Sequence, residues 1–423
     1  MQINYKNIAS SGIFKNYIFL SAYQVVNFLV PLIIFPIVIK KTGLENFGKI
    51  AFSYAFVNYF NVLTDYGFNL SATRNIAVSR LNIEAVRKIY TSVVVAKLLL
   101  FFISAIVFAG LLGIPFFREE YKLHLLSFTV VAAQVLMPLW LFQGMEDMKY
   151  LAIFNAFAKI CFAILIIVFV QLPQHYLLVN FLLGIGGIIA AFACHLVARR
   201  TYKIHFVRIT VRDISNELRD GFVLFLSSLA VNIYVISNVF ILGIFASPLV
   251  VGYYSIAEKV YFAIKQLTSV FSQVIFPRIC QLAKQSIDQL LVFQKKIFFP
   301  FLVCLLLICL VVWYYAGFIG NYFLPGDSGD VQLLIRIFCI VPIIVAFDIP
   351  AFQALLALNE KAKYSVVLIS GCVLNVIANV FLAQRLGALG TTISVLLTEL
   401  YITVGLMTMF GKVIKAKKQL QML

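Results

Sequence analysis

Apolar windows of about 20 residues recur along this 423-residue chain from one end to the other. As a helix, each is long enough to cross a bilayer core roughly 30 Å thick. In hydrocarbon every backbone N–H and C=O must be satisfied internally, which leaves helices or closed barrels. Barrel strands alternate apolar and polar positions over about 10 residues, and these windows run apolar without alternating. Charged residues make up only 12% of the chain, against roughly 25% in a soluble domain. The expected fold class is therefore an all-α integral membrane protein.

Twelve spans are expected, near 16–39, 49–71, 90–112, 123–142, 151–171, 177–198, 221–243, 253–275, 297–320, 331–356, 364–384 and 388–410. Placing the N-terminus in the cytoplasm puts 23 of the 34 Lys and Arg in cytoplasmic segments and six outside, as the positive-inside rule asks. Both termini are then cytoplasmic. The net charge of +17 is accounted for by topology, and no nucleic-acid partner is needed to explain it. The start, MQINYKNIASSGIFKNY, reads as a lead-in to the first span rather than a cleaved signal peptide. The outer loops are too short for an extramembrane catalytic domain.

The loop at 199–220 divides the chain into an N-terminal lobe, 1–210, and a C-terminal lobe, 211–423, each with six spans. The lobes read as repeats. A shift of 204 puts Gly48 on Gly252 and Arg74 on Arg278, and a shift of 214 puts Glu146, Lys149 and Tyr150 on Glu360, Lys363 and Tyr364. An even number of spans per repeat gives both lobes the same orientation, related by a pseudo-two-fold along the membrane normal.

The second span carries a polar stripe. Tyr54, Asn58, Asn61, Asp65 and Asn69 fall at spacings that put all five on one face of a continuous helix. Polar faces are expensive in lipid and usually turn toward a bundle interior or a wet path. In the eighth span Tyr254, Glu258, Tyr261, Lys265 and Ser269 share a face, and the 204 shift lays Glu258, Lys265 and Ser269 on Tyr54, Asn61 and Asp65. Two equivalent stripes are what a shared cavity requires; the alternative is a polar seam between helices. Lys97, Lys159, Lys259, Lys265 and Arg336 are the basic residues inside spans, and Asp65, Glu258, Asp348 and Glu399 the acidic ones. Near the bilayer centre each costs roughly 2.5–3.5 kcal/mol. The expected substrate cavity comprises Tyr54, Asn58, Asn61, Asp65, Lys97, Lys159, Glu258, Lys259, Tyr261, Lys265 and Arg336. Its basic excess favours an anion, with Lys as a point charge toward phosphate and Arg as a fork. Asp65, Asp348 and Glu399 are the candidates for ion coupling. For Lys97 the competing reading is snorkelling to the interface, and for Arg336 an interface anchor.

Pro31 and Pro36 are expected to bend the first span. Gly184-Ile185-Gly186-Gly187 lies inside a span and reads as close helix packing rather than a phosphate loop. There is no P-loop, no catalytic triad order and no paired Cys motif among seven cysteines. No cofactor, metal or enzymatic activity is expected.

The segment Gly43-Leu-Glu-Asn-Phe-Gly48, followed by Leu63-Thr-Asp-Tyr-Gly-Phe-Asn-Leu-Ser-Ala-Thr-Arg-Asn-Ile-Ala77, resembles the polysaccharide transporter family, and within it the O-antigen flippases of Gram-negative bacteria. Pro138-Leu-Trp-Leu-Phe-Gln-Gly-Met-Glu-Asp-Met-Lys-Tyr150 is similar to that family's turn between the fourth and fifth helices. The resemblance implies a two-lobed, twelve-helix fold shared with multidrug extrusion transporters and the lipid II flippase. It implies an inner-membrane protein that turns an undecaprenyl-pyrophosphate-linked oligosaccharide repeat unit from the cytoplasmic to the periplasmic leaflet by alternating access. An O-antigen polymerase and a chain-length regulator are the implied protein partners. The rival readings are a multidrug or cation antiporter of the same fold, which would want acidic groups facing its drugs, and a membrane enzyme of polysaccharide assembly, against which the short outer loops argue.

Overall fold

The computed structural model describes residues 12–326 and 328–422. The expected lead-in over residues 1–11 lies outside them. Secondary structure among the described residues is helical throughout, and the chain separates into two compact units that divide between Asn232 and Ile233.

The first unit contains α1 (Gly12–Thr42), α2 (Leu44–Asp65), α3 (Phe68–Ser79), α4 (Ile83–Leu111), α5 (Pro115–Arg118), α6 (Tyr121–Ser127), α7 (Thr129–Leu136), α8 (Leu139–Gly144), α9 (Met148–Phe169), a 3₁₀ turn (Pro173–Leu177) and α10 (Leu178–Thr201). Helix α11 (Val211–Phe245) begins in this unit and ends in the second. The second unit continues with α12 (Pro248–Gln285), α13 (Ile287–Tyr314), α14 (Ala316–Phe323), α15 (Gly329–Phe338), α16 (Ile340–Ala357) and α17 (Lys361–Met422).

Among the described residues seven stretches are long and apolar enough to cross a membrane: Ile83–Leu111, Tyr121–Gly144, Met148–Phe169, Pro173–Thr201, Ile287–Tyr314, Gly329–Ala357 and Ala362–Lys417. Helices α2 and α12 have the length, at 22 and 38 residues, but carry the polar stripes. Helix α1 runs through both Pro31 and Pro36 without interruption. Helix α17 leaves helical geometry at Gly387. Its two arms fold back antiparallel, with the Tyr401 hydroxyl donating to Ser370 Oγ at 3.0 Å and Ser394 Oγ donating to the Asn375 carbonyl at 3.2 Å. The expected spans 364–384 and 388–410 are these two arms.

Two expectations need correction. The stripe on the second span is not on one continuous helix. Helix α2 stops at Asp65, Tyr66 and Gly67 are both left-handed (φ 46° and 74°), and Asn69 belongs to α3. Helix α12 has no such break at the equivalent 270–271. The second correction is of register. After α8, the Asp147 amide bonds the Phe142 carbonyl and the Glu146 amide the Gln143 carbonyl. After α16, Glu360 bonds Leu355 and Asn359 bonds Leu356 in the same way. Glu146 and Asn359 are the left-handed residues of two identical helix-ending motifs, so the repeat offset at this turn is 213, one less than residue identity suggested. The helix starts at Leu44 and Pro248 keep the 204 offset.

The glycines of α10 pack as the sequence indicated. A Cβ at Gly184 would meet Thr129, one at Gly186 the Ala158 carbonyl and one at Gly187 Ala133, which brings α10 against α7 and α9 at backbone distance.

The start of α11 is fastened to the first unit by polar contacts outside the spans. Asp213 accepts from the Thr210 amide and hydroxyl, both at 2.9 Å, and pairs with Lys88 at 2.8 Å. The Lys88 ammonium, with Thr210, holds the Asp213 carboxyl down to about 2. Asn75 Nδ2 reaches both Glu217 (3.3 Å) and Asp220 (3.5 Å), and Arg74 stands 3.8 Å from Asp220. Two carboxylates thus share one amide. Glu217 is only 9% exposed, and burial, with the charge of Asp220 adding to it, pushes its carboxyl up to about 7. A raised carboxyl favours the folded state at low pH and penalises it as pH rises from 4.5 through 7. The melting temperature of the purified protein is expected to fall across that window. Glu217→Gln, which keeps an acceptor for Asn75, should remove this component and gain on the order of 2–3 kcal/mol at pH 8. A thermal-unfolding series at several pH values checks it; an unchanged slope in the variant would refute it.

Candidate functional site

In the first unit the stripe on α2 is a short chain of amides. Asn58 Nδ2 donates to the Tyr54 carbonyl at 2.8 Å, and Asn61 Nδ2 donates to Asn58 Oδ1 at 2.9 Å. Oδ1 of Asn61 and Oδ1 of Asp65 are buried without a hydrogen-bond partner. All four side chains keep partial exposure. Lys97 on α4 is 1% exposed and donates to the Gln134 carbonyl at 3.0 Å, within the electrostatic reach of Asp65. Its ammonium stays inside the bundle and does not snorkel. Lys159 is half-buried on α9.

Another polar group lies on a different face of α2. Ser53 Oγ donates to Ser127 Oγ at 2.8 Å, His124 Nδ1 sits 2.9 Å from Ser53 Oγ, and Asn180 Nδ2 bonds both Ser127 Oγ (2.9 Å) and the Ile50 carbonyl (3.0 Å). Phe52, Phe56 and Phe117 ring His124 with centroids 5.4–6.0 Å away. This closed network fixes α2 against α6 and α10. Sequence reading passed over it because one His, one Asn and two Ser on three helices make no local pattern.

In the second unit four side chains converge. Glu399 on the last arm of α17 is 4% exposed. Its Oε1 takes Lys265 Nζ at 3.0 Å, the Tyr234 hydroxyl at 2.8 Å and the Tyr261 hydroxyl at 3.5 Å. The Lys265 ammonium also lies over the rings of Tyr261 (5.5 Å) and Tyr234 (5.9 Å), where the ring quadrupole adds to its attraction. Tyr261 stacks on Phe338 at 5.0 Å. Asp348 on α16 is within electrostatic range of both Lys265 and Glu399. Three candidates, Tyr261, Lys265 and Glu399, are thus in contact, with Asp348 near. Tyr234 is the member that sequence reading missed.

The remaining candidates stand elsewhere in this unit. Lys259 pairs with its neighbour Glu258 at 3.8 Å, and Glu258 also takes the Tyr254 hydroxyl. Arg336 lies on α15 with its guanidinium 4.9 Å from the Trp313 ring. With the Gln332 amide oxygen turned toward it, it donates to that oxygen at 2.8 and 3.2 Å.

Chemically the Lys265 group is an ammonium paired with a buried carboxylate that also accepts from two tyrosine hydroxyls. Lys265 keeps 30% of its side chain accessible while Glu399 keeps 5%.

Comparison with known proteins bears on what such a chain belongs to. It is 26% identical over 403 residues to the "Putative O-antigen transporter" of Escherichia coli (strain K12), covering 94% of this chain and 96% of that one. Its fold is similar to the inward-facing conformation of a multidrug resistance MATE family transporter of the MOP superfamily, with a TM-score of 0.73 at 15% identity over 92% of this chain and 96% of that one. It is also similar to the lipid II flippase MurJ in an inward closed conformation, with a TM-score of 0.68 at 13% identity over 91% and 86% of the two chains. Residues 13–283 match the family described as polysaccharide biosynthesis protein, and by that match the chain belongs to it.

Proposed function

We propose that this chain is a flippase. It moves an undecaprenyl-pyrophosphate-linked O-antigen repeat unit from the cytoplasmic to the periplasmic leaflet of a bacterial inner membrane, by alternating access of a twelve-helix, two-lobed fold with both termini in the cytoplasm. The observation that supports the reading is the partly accessible Lys265 side chain, its ammonium paired with the buried Glu399 carboxylate and lying over the rings of Tyr234 and Tyr261. A pyrophosphate needs a point cation, and a sugar repeat suits aromatic faces. The O-antigen transporter that matches nearly the whole chain supports the same substrate class. Asp65, Asp348 and Glu399 are the groups proposed for ion coupling, and Tyr54, Asn58, Asn61, Lys97, Lys159, Glu258, Lys259 and Arg336 the remaining polar surface for the substrate.

One observation favours a cation antiporter on the same fold: Lys265 is charge-balanced by Glu399, so this site is less basic than a residue count suggests. A single experiment separates the readings. Cells lacking the protein are expected to accumulate lipid-linked single repeat units on the cytoplasmic face and to lose surface polysaccharide, and the restored gene to reverse both. Lipid-linked repeat units that still reach the periplasmic face in the deletion strain would exclude the flippase reading. Drug sensitivity without a polysaccharide defect would favour the antiporter.

A further inference from the structure

The fourth span is broken at Pro138. Helix α7 stops at Leu136, Met137 is extended (φ −73°, ψ 115°), Pro138 has φ −88° and ψ 56°, and α8 resumes at Leu139. Proline has no N–H, so the carbonyl four residues earlier, that of Gln134, receives no helical hydrogen bond. In a membrane bundle a released carbonyl has to find another donor. Lys97 Nζ supplies it at 3.0 Å.

The neighbouring carbonyl, Leu136, takes His195 Nε2 at 2.8 Å, and the Tyr90 hydroxyl is 2.5 Å from His195 Nδ1. A carbonyl only accepts, so Nε2 carries a proton and donates to it. Of the two carbonyls at the break, one is served by an imidazole N–H and the other by an ammonium.

A neutral donor would have sufficed to cap Gln134. The ammonium is 1% exposed, and among the described residues the Gln134 carbonyl is its only hydrogen-bond acceptor. Its charge is opposed by Asp65, which attracts it electrostatically and whose Oδ1 is buried without a partner. A released carbonyl with a carboxylate nearby is the oxygen set that broken transmembrane helices offer to small monovalent cations.

We propose that the Lys97 ammonium is a tethered cation, standing where a free alkali cation would otherwise bind at the broken fourth span. Removing the tether should then open a site for a free cation. This inference is independent of the flippase reading, since its test measures stability and not transport.

The full-length protein and Lys97→Ala are purified in detergent, and their melting temperatures measured in NaCl, choline chloride and n-propylammonium chloride at equal ionic strength. The last restores the atoms removed by the substitution. The unsubstituted protein should melt alike in all three. Lys97→Ala should melt lower in choline and recover as Na⁺ or n-propylammonium is raised, by about 1–2 °C per tenfold above its dissociation constant. Lys97→Ala/Asp65→Asn should lose the Na⁺ response. Should Lys97→Ala not fold, Lys97→Met, Asp65→Asn and their combination take its place: the double variant is expected to melt above either single one, because charge balance is restored. A variant that melts equally low in all three salts, or single effects that merely add, would make Lys97 a helix cap alone and overturn the proposal.

Discussion

Lys265→Met is expected to lower the stability of the protein by about 3 kcal/mol and to abolish most polysaccharide export. Removing one partner of a buried ion pair leaves an uncompensated charge, at a typical cost of about 3–5 kcal/mol. Glu399 keeps the hydroxyls of Tyr234 and Tyr261, and Lys265 is 30% accessible, which places the loss at the lower end. Stability and function are separated by the double variant Lys265→Met/Glu399→Gln. Neither member of the pair is then charged, so most of the stability should return, measured as melting temperature in detergent. Export should not return. A charge-assisted hydrogen bond is worth roughly 1.5–3 kcal/mol, enough to hold export about tenfold or more below normal at equal expression. A double variant that regains both would show the pair to be a polar seam with no part in transport.

Several of the expected spans were legible as apolar helices because hydropathy is additive along the chain. The expected 90–112, 151–171 and 177–198 lie on Ile83–Leu111, Met148–Phe169 and Leu178–Thr201. The stripe from Tyr54 to Asp65 was equally legible, since spacing alone places it on one face. The turn at Tyr66–Gly67 was not, because Phe68, Leu70 and Ala72 prolong the apolar run and conceal a glycine that ends the helix. Lys265 and Glu399 were each visible as charges within spans, but 134 residues separate them and no local period links them. Tyr234 was lost among 20 tyrosines. For Lys97 the signal was present and unused: Pro138 marks Gln134 as a carbonyl without its helical donor, and a lysine in the preceding span is a natural candidate to meet it. The one-residue error in the repeat offset has a similar cause. Identity matched Glu146 with Glu360, whereas the backbone matches Glu146 with Asn359, since a helix-ending motif is set by left-handed geometry and not by side-chain type.

Gly67→Ala should destabilise the protein by on the order of 3 kcal/mol, for two separable reasons. Gly67 has φ +74°, which a Cβ disfavours by roughly 1–2 kcal/mol. The added atom would also stand 2.9 Å from the Phe225 amide nitrogen, 3.0 Å from the Gly221 carbonyl oxygen and 3.0 Å from Leu224 Cβ. Two of these are backbone atoms of α11, which cannot give way by a rotamer change. Tyr66 stacks on Phe225 at 4.8 Å, so moving α11 outward would open that contact as well. Gly43 supplies the control. Its φ of +86° comes with ψ 157°, a region essentially confined to glycine, and nothing lies within 4 Å of its Cβ position. Gly43→Ala therefore carries backbone strain alone, roughly 1–3 kcal/mol. Gly221→Ala meets the Tyr66 carbonyl oxygen at 2.8 Å from the opposite side and has no positive φ, so it should show the clash without the strain. Thermal unfolding of the three variants tests the partition. A Gly67→Ala loss confined to the roughly 1–2 kcal/mol of left-handed strain, with no loss at Gly221→Ala, would mean that α11 shifts freely, and that its close approach to the Tyr66–Gly67 break contributes nothing to stability.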